Sequence, residues 1–374
     1  MKIIQLSKFY KPYFGGVESV VADISEGLHR INKDVEVVAC CKDGHSRNQL
    51  VDSVNVHYSK EWFSFSSTSF SLDYVRKVFD LCSRDNIFHV HLPNPLANFA
   101  ILMAYLFKNR EIRIIVHWHS DIIKQKKLLK LYAPLMNWLL EKAETIIVTS
   151  QRYLDASEQL SKFKNKCVVI PIGIDSISSL VCQDKVDSIK NLYKNKKIVF
   201  SLGRHIYYKG FEYLIESARD VDNAVVIIGG SGPDTEKYKK LIIDNGVSDK
   251  VFLIGRIEDS ELPSYFAAAD VFCFPSTEKS EAFGVVQLES MSVSTPVVSS
   301  EIIGSGVPWV NKNNVSGLIF EPKSVVALSK CLNIILTDDD LRADLSNGAL
   351  SRFNSLFVKE KMISKINDVY EGKL

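Results

Sequence analysis

Seven cysteines are scattered along the chain with no CxxC pair, and the only adjacent two are Cys40 and Cys41. That spacing excludes a disulfide framework and a thiolate zinc site, and it fits reduced thiols in a cytosolic compartment. Cys40, Cys167 and Cys273 sit inside apolar, strand-like runs and read as core. No apolar stretch approaches the ~18–20 residues of a membrane-spanning helix. The opening Met1-Lys2-Ile3-Ile4-Gln5-Leu6-Ser7 turns polar within a few residues, so it reads as a strand and not a signal peptide. Charge of one sign is missing as well. With 46 basic and 44 acidic residues the net charge is +2, which points neither to nucleic acid nor to an acidic substrate. Low-complexity segments and short repeats are absent.

What is present is an alternation. At 374 residues the chain exceeds one ordinary core and predicts two domains. Apolar runs at 3–6, 35–39, 54–57, 87–91, 112–117, 145–148 and 168–170 read as strands. Between them lie helical patterns near 17–30, 72–83, 95–107, 124–142 and 152–160. A polar stretch over 176–197 then offers few packing residues and reads as the domain junction. The pattern restarts with strands at 198–202, 224–228, 251–254, 271–274 and 296–299 and helices at 211–219, 234–245 and 260–268. A helical tail follows over 341–370. The expected fold is α/β: two Rossmann-like, doubly wound parallel-sheet domains (1–175 and 176–350) facing across a cleft, with 351–374 crossing back to the first. Such sheets bind ligands outside the carboxyl ends of their strands, so chemistry is sought there.

The most informative stretch is Ser280-Glu281-Ala282-Phe283-Gly284-Val285-Val286-Gln287-Leu288-Glu289, which follows the strand at 271–274. Its two acids are eight residues apart, and a helix opening here would turn both carboxylates toward one side. Phe283, Gly284 and Val285 would present unpaired amides to a phosphate or sugar oxygen. An acid before a helix can equally be a cap, and one inside it a solvated face. A second loop, Gly203-Arg204-His205-Ile206-Tyr207-Tyr208-Lys209-Gly210, places a forked guanidinium and an ammonium at a strand-to-helix crossover. That pair suits a diphosphate leaving group. In the first half, Tyr13-Phe14-Gly15-Gly16 follows the first strand, where glycines permit close approach of a ligand to a helix start, or make a plain tight turn.

Other features carry less. His89-Val90-His91 and His117-Trp118-His119 each end a strand, and H-x-H occurs in metal sites, yet no acidic or thiolate group completes a set. His119 reads better as a hydrogen-bonding partner of substrate. Gly229-Gly230-Ser231-Gly232-Pro233 lacks the spacing of a dinucleotide fingerprint. Asp338-Asp339-Asp340 looks like the acidic first turn of a capped helix. The segment 122–142, with Lys124, Lys126, Lys127, Lys130 and Trp138, describes either a helix at a membrane surface or one packed on a sheet.

Taken in order, Gly15-Gly16, His119, Arg204 with Lys209, Gly230-Ser231-Gly232-Pro233 and Glu281 to Glu289 resemble the retaining glycosyltransferases of family four, on the GT-B fold. The resemblance implies that Arg204 and Lys209 contact the donor diphosphate and that Glu281 holds donor-sugar hydroxyls, aided by the amides of Phe283, Gly284 and Val285. It also implies Glu289 on the ribose, Arg256 and Ile257 at the base, Gly230 among the donor-binding residues, Gly16 near the phosphates, and His119 beside the donor sugar. The segments 10–20 and 89–98 look most like bacterial surface-polysaccharide (O-antigen type) mannosyltransferases, which implies GDP-mannose as donor and a lipid-linked or saccharide acceptor. No metal or other cofactor is implied, nor a nucleic-acid partner. The implied location is cytoplasmic, with possible peripheral contact at the inner face of the membrane. Alternatives are a UDP-sugar transferase of the same fold, a sugar-nucleotide epimerase, a dinucleotide-dependent dehydrogenase and a non-catalytic carbohydrate-binding protein.

Overall fold

The computed structural model describes residues 1–13, 15–65, 68–123, 125–194 and 196–374. Phe14 and Lys124, both named above, lie outside them. The chain divides into two compact units, one of Met1–Ile172 with Lys359–Leu374 and one of Gly173–Val358. The expected boundaries were 175 and 350.

The first unit begins β1 (Ile3–Leu6), α1 (Gly16–Arg30), β2 (Val35–Cys41), β3 (Arg47–Val51) and β4 (Val54–Lys60). A small hairpin, β5 (Phe63–Phe65) and β6 (Thr68–Phe70), leads to α2 (Leu72–Leu81) and β7 (Ile87–Leu92). Then come α3 (Pro95–Phe107), β8 (Arg113–Trp118), α4 (Lys126–Lys142), β9 (Thr145–Val148), α5 (Gln151–Ala156) and β10 (Cys167–Val169). The main sheet runs β10-β9-β8-β7-β1-β2-β4-β3. Its pairings are parallel except β3 with β4, so the sheet is mixed where an all-parallel one was expected. The reversal is made by Asp52 and Ser53, with φ of 44° and 68°, a hairpin turn without the usual glycine. The polar Arg47-Asn48-Gln49 run suits an exposed edge and gave no strand signal.

β7 is buried along its whole length, as a strand covered on both faces must be. This carries His89 and His91 inside. Asn94 caps α3 through the amide of Ala97 with Pro95 in the first turn, which fixes where β7 ends. Of α4, Met136, Leu139 and Leu140 are core, and Trp138 packs edge-on against Tyr105, so much of the apolar stripe faces inward.

The second unit holds α6 (Gln183–Leu192), β11 (Lys197–Leu202), α7 (Phe211–Ser217), β12 (Ala224–Gly229), α8 (Thr235–Asp244) and β13 (Val251–Gly255). It continues with α9 (Leu262–Ala268), β14 (Val271–Phe274), α10 (Val286–Ser292), β15 (Val297–Ser300), α11 (Val307–Val310), β16 (Gly317–Phe320), α12 (Val325–Thr337) and α13 (Asp339–Leu356). Its sheet is β13-β12-β11-β14-β15-β16, parallel at each pairing. Two readings of the sequence are corrected here. The polar stretch 176–197 is no bare junction: α6 buries Val186 and Ile189, and Lys185 pairs with Glu261 at 2.5 Å. β16 and α12 were missed, although α12 repeats buried Leu328, Leu332, Ile335 and Leu336 behind a Ser324 cap.

The return to the first unit begins at α14 (Lys359–Tyr370). Residues 351–358 stay with the second unit because Phe353 and Phe357 are core there, the latter 5.7 Å from Trp309. α14 lies close on α1. A Cβ on Gly27 would meet Ile363 at 2.6 Å, and Lys359 pairs with Asp23 at 2.6 Å.

Candidate functional site

In the second unit, the loops that leave β11, β12, β13 and β14 rise from four adjacent parallel strands. They carry Arg204 and Lys209, Gly230, Arg256 and Ile257, and Glu281 respectively, so the sheet brings these sequence-distant residues to one edge. The crossovers are backbone against backbone. Gly230 has φ of 111°, and a Cβ on it would lie 2.0 Å from the Gly203 carbonyl oxygen. The Gly230 amide donates to the Gly255 carbonyl at 2.6 Å, and the His205 amide to that of Ser231 at 3.0 Å. Thr235 Oγ1 ties this corner to His205 Nδ1 and to Gly232. Gly230 is therefore required by the fold itself.

Lys209 ends a 3-10 turn, and Gly210, at φ of 68°, begins α7. A Cβ at 210 would sit 2.1 Å from the Pro275 carbonyl oxygen, so the β11 and β14 loops must touch there. That contact delivers Lys209 Nζ to Glu281 Oε2 at 2.5 Å, and both side chains are largely enclosed, at 14% and 15% exposure. Ser276 Oγ donates to the same oxygen at 3.3 Å, and the ammonium lies 5.0 Å from the centre of the Phe274 ring. Arg204, on the same loop as Lys209, stands exposed with no ion pair among the described residues.

Glu289 departs from expectation. The segment 281–285 is not helical. Gly284, at φ of 78°, turns the chain, and α10 starts at Val286. Glu289 is thus in the first turn of a short helix, not two turns in, and the helical-period basis for putting both acids on one side lapses. Burial pushes its carboxyl up to about 7, with the Asp259 carboxylate adding to the effect. Asp259, on the loop after β13, was not singled out in the sequence because a lone exposed acid gives no signal. Phe283 packs against Trp309 and Phe357, and the amides of Phe283, Gly284 and Val285 have no partner among the described residues. Ile257 is buried over Gly229, and Arg256 is exposed. A cavity of about 690 Å³ opens beside Thr277 and Lys279, lined also by Glu301, Asn313 and Glu321. Asp338 caps α13 through the Leu341 amide, which accounts for the D-x-D.

In the first unit, Gly16 is exposed at the start of α1, and a Cβ there would meet nothing within 4 Å. Neither strain nor crowding in the ligand-free chain requires glycine at 16. His119 follows β8 and is only 7% exposed. It joins a column of imidazoles. His117 and His119 stack at 4.4 Å, and His89 with His91 at 4.6 Å. Register explains the column, because His91 on β7 pairs with His117 on β8. Burial drives the pKa of His89 and His119 down to about 3 and those of His91 and His117 well below the ordinary range, so all four are neutral at pH 7. His89, His91 and His117 bring ring nitrogens within 4.8 Å of one another, which is within reach of metal-ligand spacing. Their planes lie within 22° of parallel, however, so the in-plane lone pairs run side by side and would need ring rotation to converge on one ion. The exit from β8 is strapped by Asp121, which accepts from Trp118 Nε1 at 3.1 Å and from Ser157 Oγ at 2.7 Å.

Comparison with known proteins adds two family matches. Residues 14–176 match the model described as Glycosyltransferase Family 4, and residues 183–352 that of Glycosyl transferases group 1. The chain is 29% identical over 371 residues to O-antigen chain mannosyltransferase C of Escherichia coli, covering 99% of this chain and 98% of the relative. It is 27% identical over 354 residues to the D-rhamnosyltransferase WbpZ of Pseudomonas aeruginosa, covering 93% and 91%. Among solved structures it resembles Anabaena HepE in complex with UDP, at TM-score 0.80 and 19% identity over 100% of both chains. Sucrose-phosphate synthase from Thermosynechococcus elongatus matches at TM-score 0.80 and 19% identity, over 99% and 98%.

Proposed function

The chain belongs to the family 4 glycosyltransferases, on the GT-B fold, and from that premise we propose that it is a metal-independent, retaining hexosyltransferase that takes mannose from GDP-mannose. The acceptor is a lipid-linked or saccharide intermediate of surface-polysaccharide synthesis, a reading supported by the naming of the Escherichia coli relative. The observation that carries the chemistry is the enclosed Lys209–Glu281 pair, with an exposed Arg204 on the same loop as Lys209, at the carboxyl edge of the sheet.

The residues divide the work as follows. Arg204 and Lys209 neutralise charge that grows on the departing diphosphate, in a setting where the ammonium is already fixed and little reorganisation is needed. Glu281, its Oε2 held by Lys209 and Ser276, accepts hydrogen bonds from donor-sugar hydroxyls and serves as a hydroxyl ligand, not as the nucleophile. Retention then runs by same-face attack. The bond from C1 to the phosphate oxygen breaks, the acceptor oxygen bonds C1, and the acceptor's proton passes to the leaving diphosphate. Glu289 binds the ribose diol, Arg256 and Ile257 flank the base, and the amides of 283–285 take sugar or phosphate oxygens. Gly230 shapes the phosphate loop. In the first unit, Gly16 admits the phosphates and His119 contacts the donor sugar.

A peripheral place at the inner face of a membrane is part of the proposal. Leu131 on α4 is 80% exposed beside Lys127 and Lys130, and the β5–β6 hairpin exposes Phe63 and Phe65. No helix among the described residues is long and apolar enough to cross a membrane. A UDP-sugar donor is the second reading, favoured by the UDP complex of the HepE neighbour.

The test is transfer from GDP-mannose to an acceptor extract. Activity should persist in EDTA, and loss that Mg²⁺ restores would contradict metal independence. Lys209→Ala should lower the transfer rate about 100-fold or more while weakening donor binding only a few-fold. Equal losses in both would mean uniform binding and would refute the assigned role. Isomerisation of the donor without acceptor would identify an epimerase instead.

A further inference from the structure

The imidazole column is wired to the returning helix by a hydrogen-bond chain in which each donor fixes the next. Gln5 on β1 is fully buried, and its Nε2 donates to the Tyr370 hydroxyl at 3.1 Å. Its Oε1 therefore faces His91 Nε2, 2.8 Å away, and His91 must carry its proton on that nitrogen. The other nitrogen of His91, Nδ1, is then a bare lone pair. It lies 2.9 Å from His119 Nε2, which must donate. A neutral His119 has only one ring proton, and it is committed to that bond. Its Nδ1 is unprotonated and has no partner among the described residues. Tyr370 completes the logic at the far end, because its hydroxyl, having accepted from Gln5, is bonded to Nδ1 of His89 and donates there.

We propose that Tyr370 and Gln5 are positioning residues which, acting through His91, hold His119 as its Nε2–H tautomer and so present a bare Nδ1 to substrate. A bare imidazole nitrogen can only accept, so the group it takes is a hydroxyl that donates, as on a sugar; a phosphate or carbonyl oxygen is rejected. This deepens the reading of His119 as a donor-sugar contact and rests on it for the identity of the ligand. The sense of the chain is carried by the Gln5 amide, which Tyr370 couples to His89 Nδ1. Without the Tyr370 hydroxyl the amide is released from that coupling and can turn over, and every donor and acceptor down to His119 then reverses.

The test reads the tautomer directly. The full chain is labelled with ¹⁵N-histidine, and long-range ¹H–¹⁵N correlation at neutral pH distinguishes protonated from bare ring nitrogens, with the His119 signals assigned from His119→Gln. The expected result is a protonated Nε2 and a bare Nδ1 in the native chain. Tyr370→Phe, and independently Gln5→Met, should move both His119 signals toward intermediate values and lower kcat about three- to tenfold. Two variants are used so that misfolding of one does not remove the test. A native His119 protonated on Nδ1, or an unchanged tautomer in both folded variants, would overturn the proposal. Native tautomers as expected, with full turnover in His119→Ala, would instead overturn the sugar contact and with it the assigned ligand.

Discussion

Asp259→Asn is expected to flatten the pH dependence of donor binding. Glu289 is largely withdrawn from water, and burial with the neighbouring Asp259 charge brings its carboxyl up to about 7. If the ribose diol requires the ionised form, the apparent Kd scales as one plus the ratio of protonated to ionised carboxyl. With half-protonation near pH 7, that factor is about eleven at pH 6 and close to one at pH 8, a tenfold change worth ~1.4 kcal/mol. Affinity therefore rises with pH across this window. Removing the Asp259 charge favours ionisation, so the change between pH 6 and pH 8 shrinks while the part due to burial remains. Stability of the ligand-free protein has the opposite sign. The folded carboxyl keeps its proton to a higher pH than the ordinary 4.5, so stability from this group declines as pH rises from 4.5 to about 7. Titration calorimetry with the intact sugar nucleotide, whose diphosphate bridge does not titrate between pH 6 and 8, measures the binding arm. A pH-independent Kd in the native chain, or the same slope in Glu289→Gln, would refute the reasoning.

Three glycine substitutions should separate fold from function. Gly230→Ala places a Cβ against the Gly203 carbonyl at 2.0 Å and should cost roughly 2–4 kcal/mol of stability by denaturant titration. Gly246→Ala, with φ of 66° but open space, should cost only about 1–2 kcal/mol. Equal losses would mean that the crossover is not tight. Gly16→Ala meets no atom and should leave the melting temperature unchanged or slightly higher while weakening donor binding. Unchanged affinity would remove Gly16 from the phosphate site. Leu131→Glu with Lys130→Glu should reduce co-sedimentation with anionic vesicles, and equal sedimentation of the two proteins would argue against a docking role for α4.

The strands that read clearly were those with continuous apolar runs, because burial on both faces leaves no room for other chemistry. β7 and β14 are examples, and both emerge where their sequences place them. β3 was illegible because an exposed edge strand needs no apolar pattern, and its Asp52-Ser53 turn uses residues that seldom take positive φ. In the second unit, the loops carrying Arg204, Lys209 and Glu281 stood out in the sequence, but the pairing of Lys209 with Glu281 did not. The 2.5 Å contact of Lys209 with Glu281 depends on how Gly210 lets two loops touch, which a sequence separation of 72 hides. The helical spacing of Glu281 and Glu289 misled because Gly284 was read as an anion-friendly helix start, whereas its positive φ ends any helix there. His89 and His91 were read as ending a strand, with metal binding set aside for want of a completing ligand. Parallel register with β8 instead packs them with His117 and His119 into a closed column.

The most direct test of the central claim is a thermal-shift panel of the native chain with GDP, UDP, ADP, NAD and the corresponding nucleotide sugars. The account predicts selective stabilisation by GDP and GDP-mannose, since a ligand that binds only the folded state raises its melting temperature. Stabilisation by UDP and its sugars alone would contradict the GDP-mannose assignment, and a response to NAD alone would contradict the transferase account.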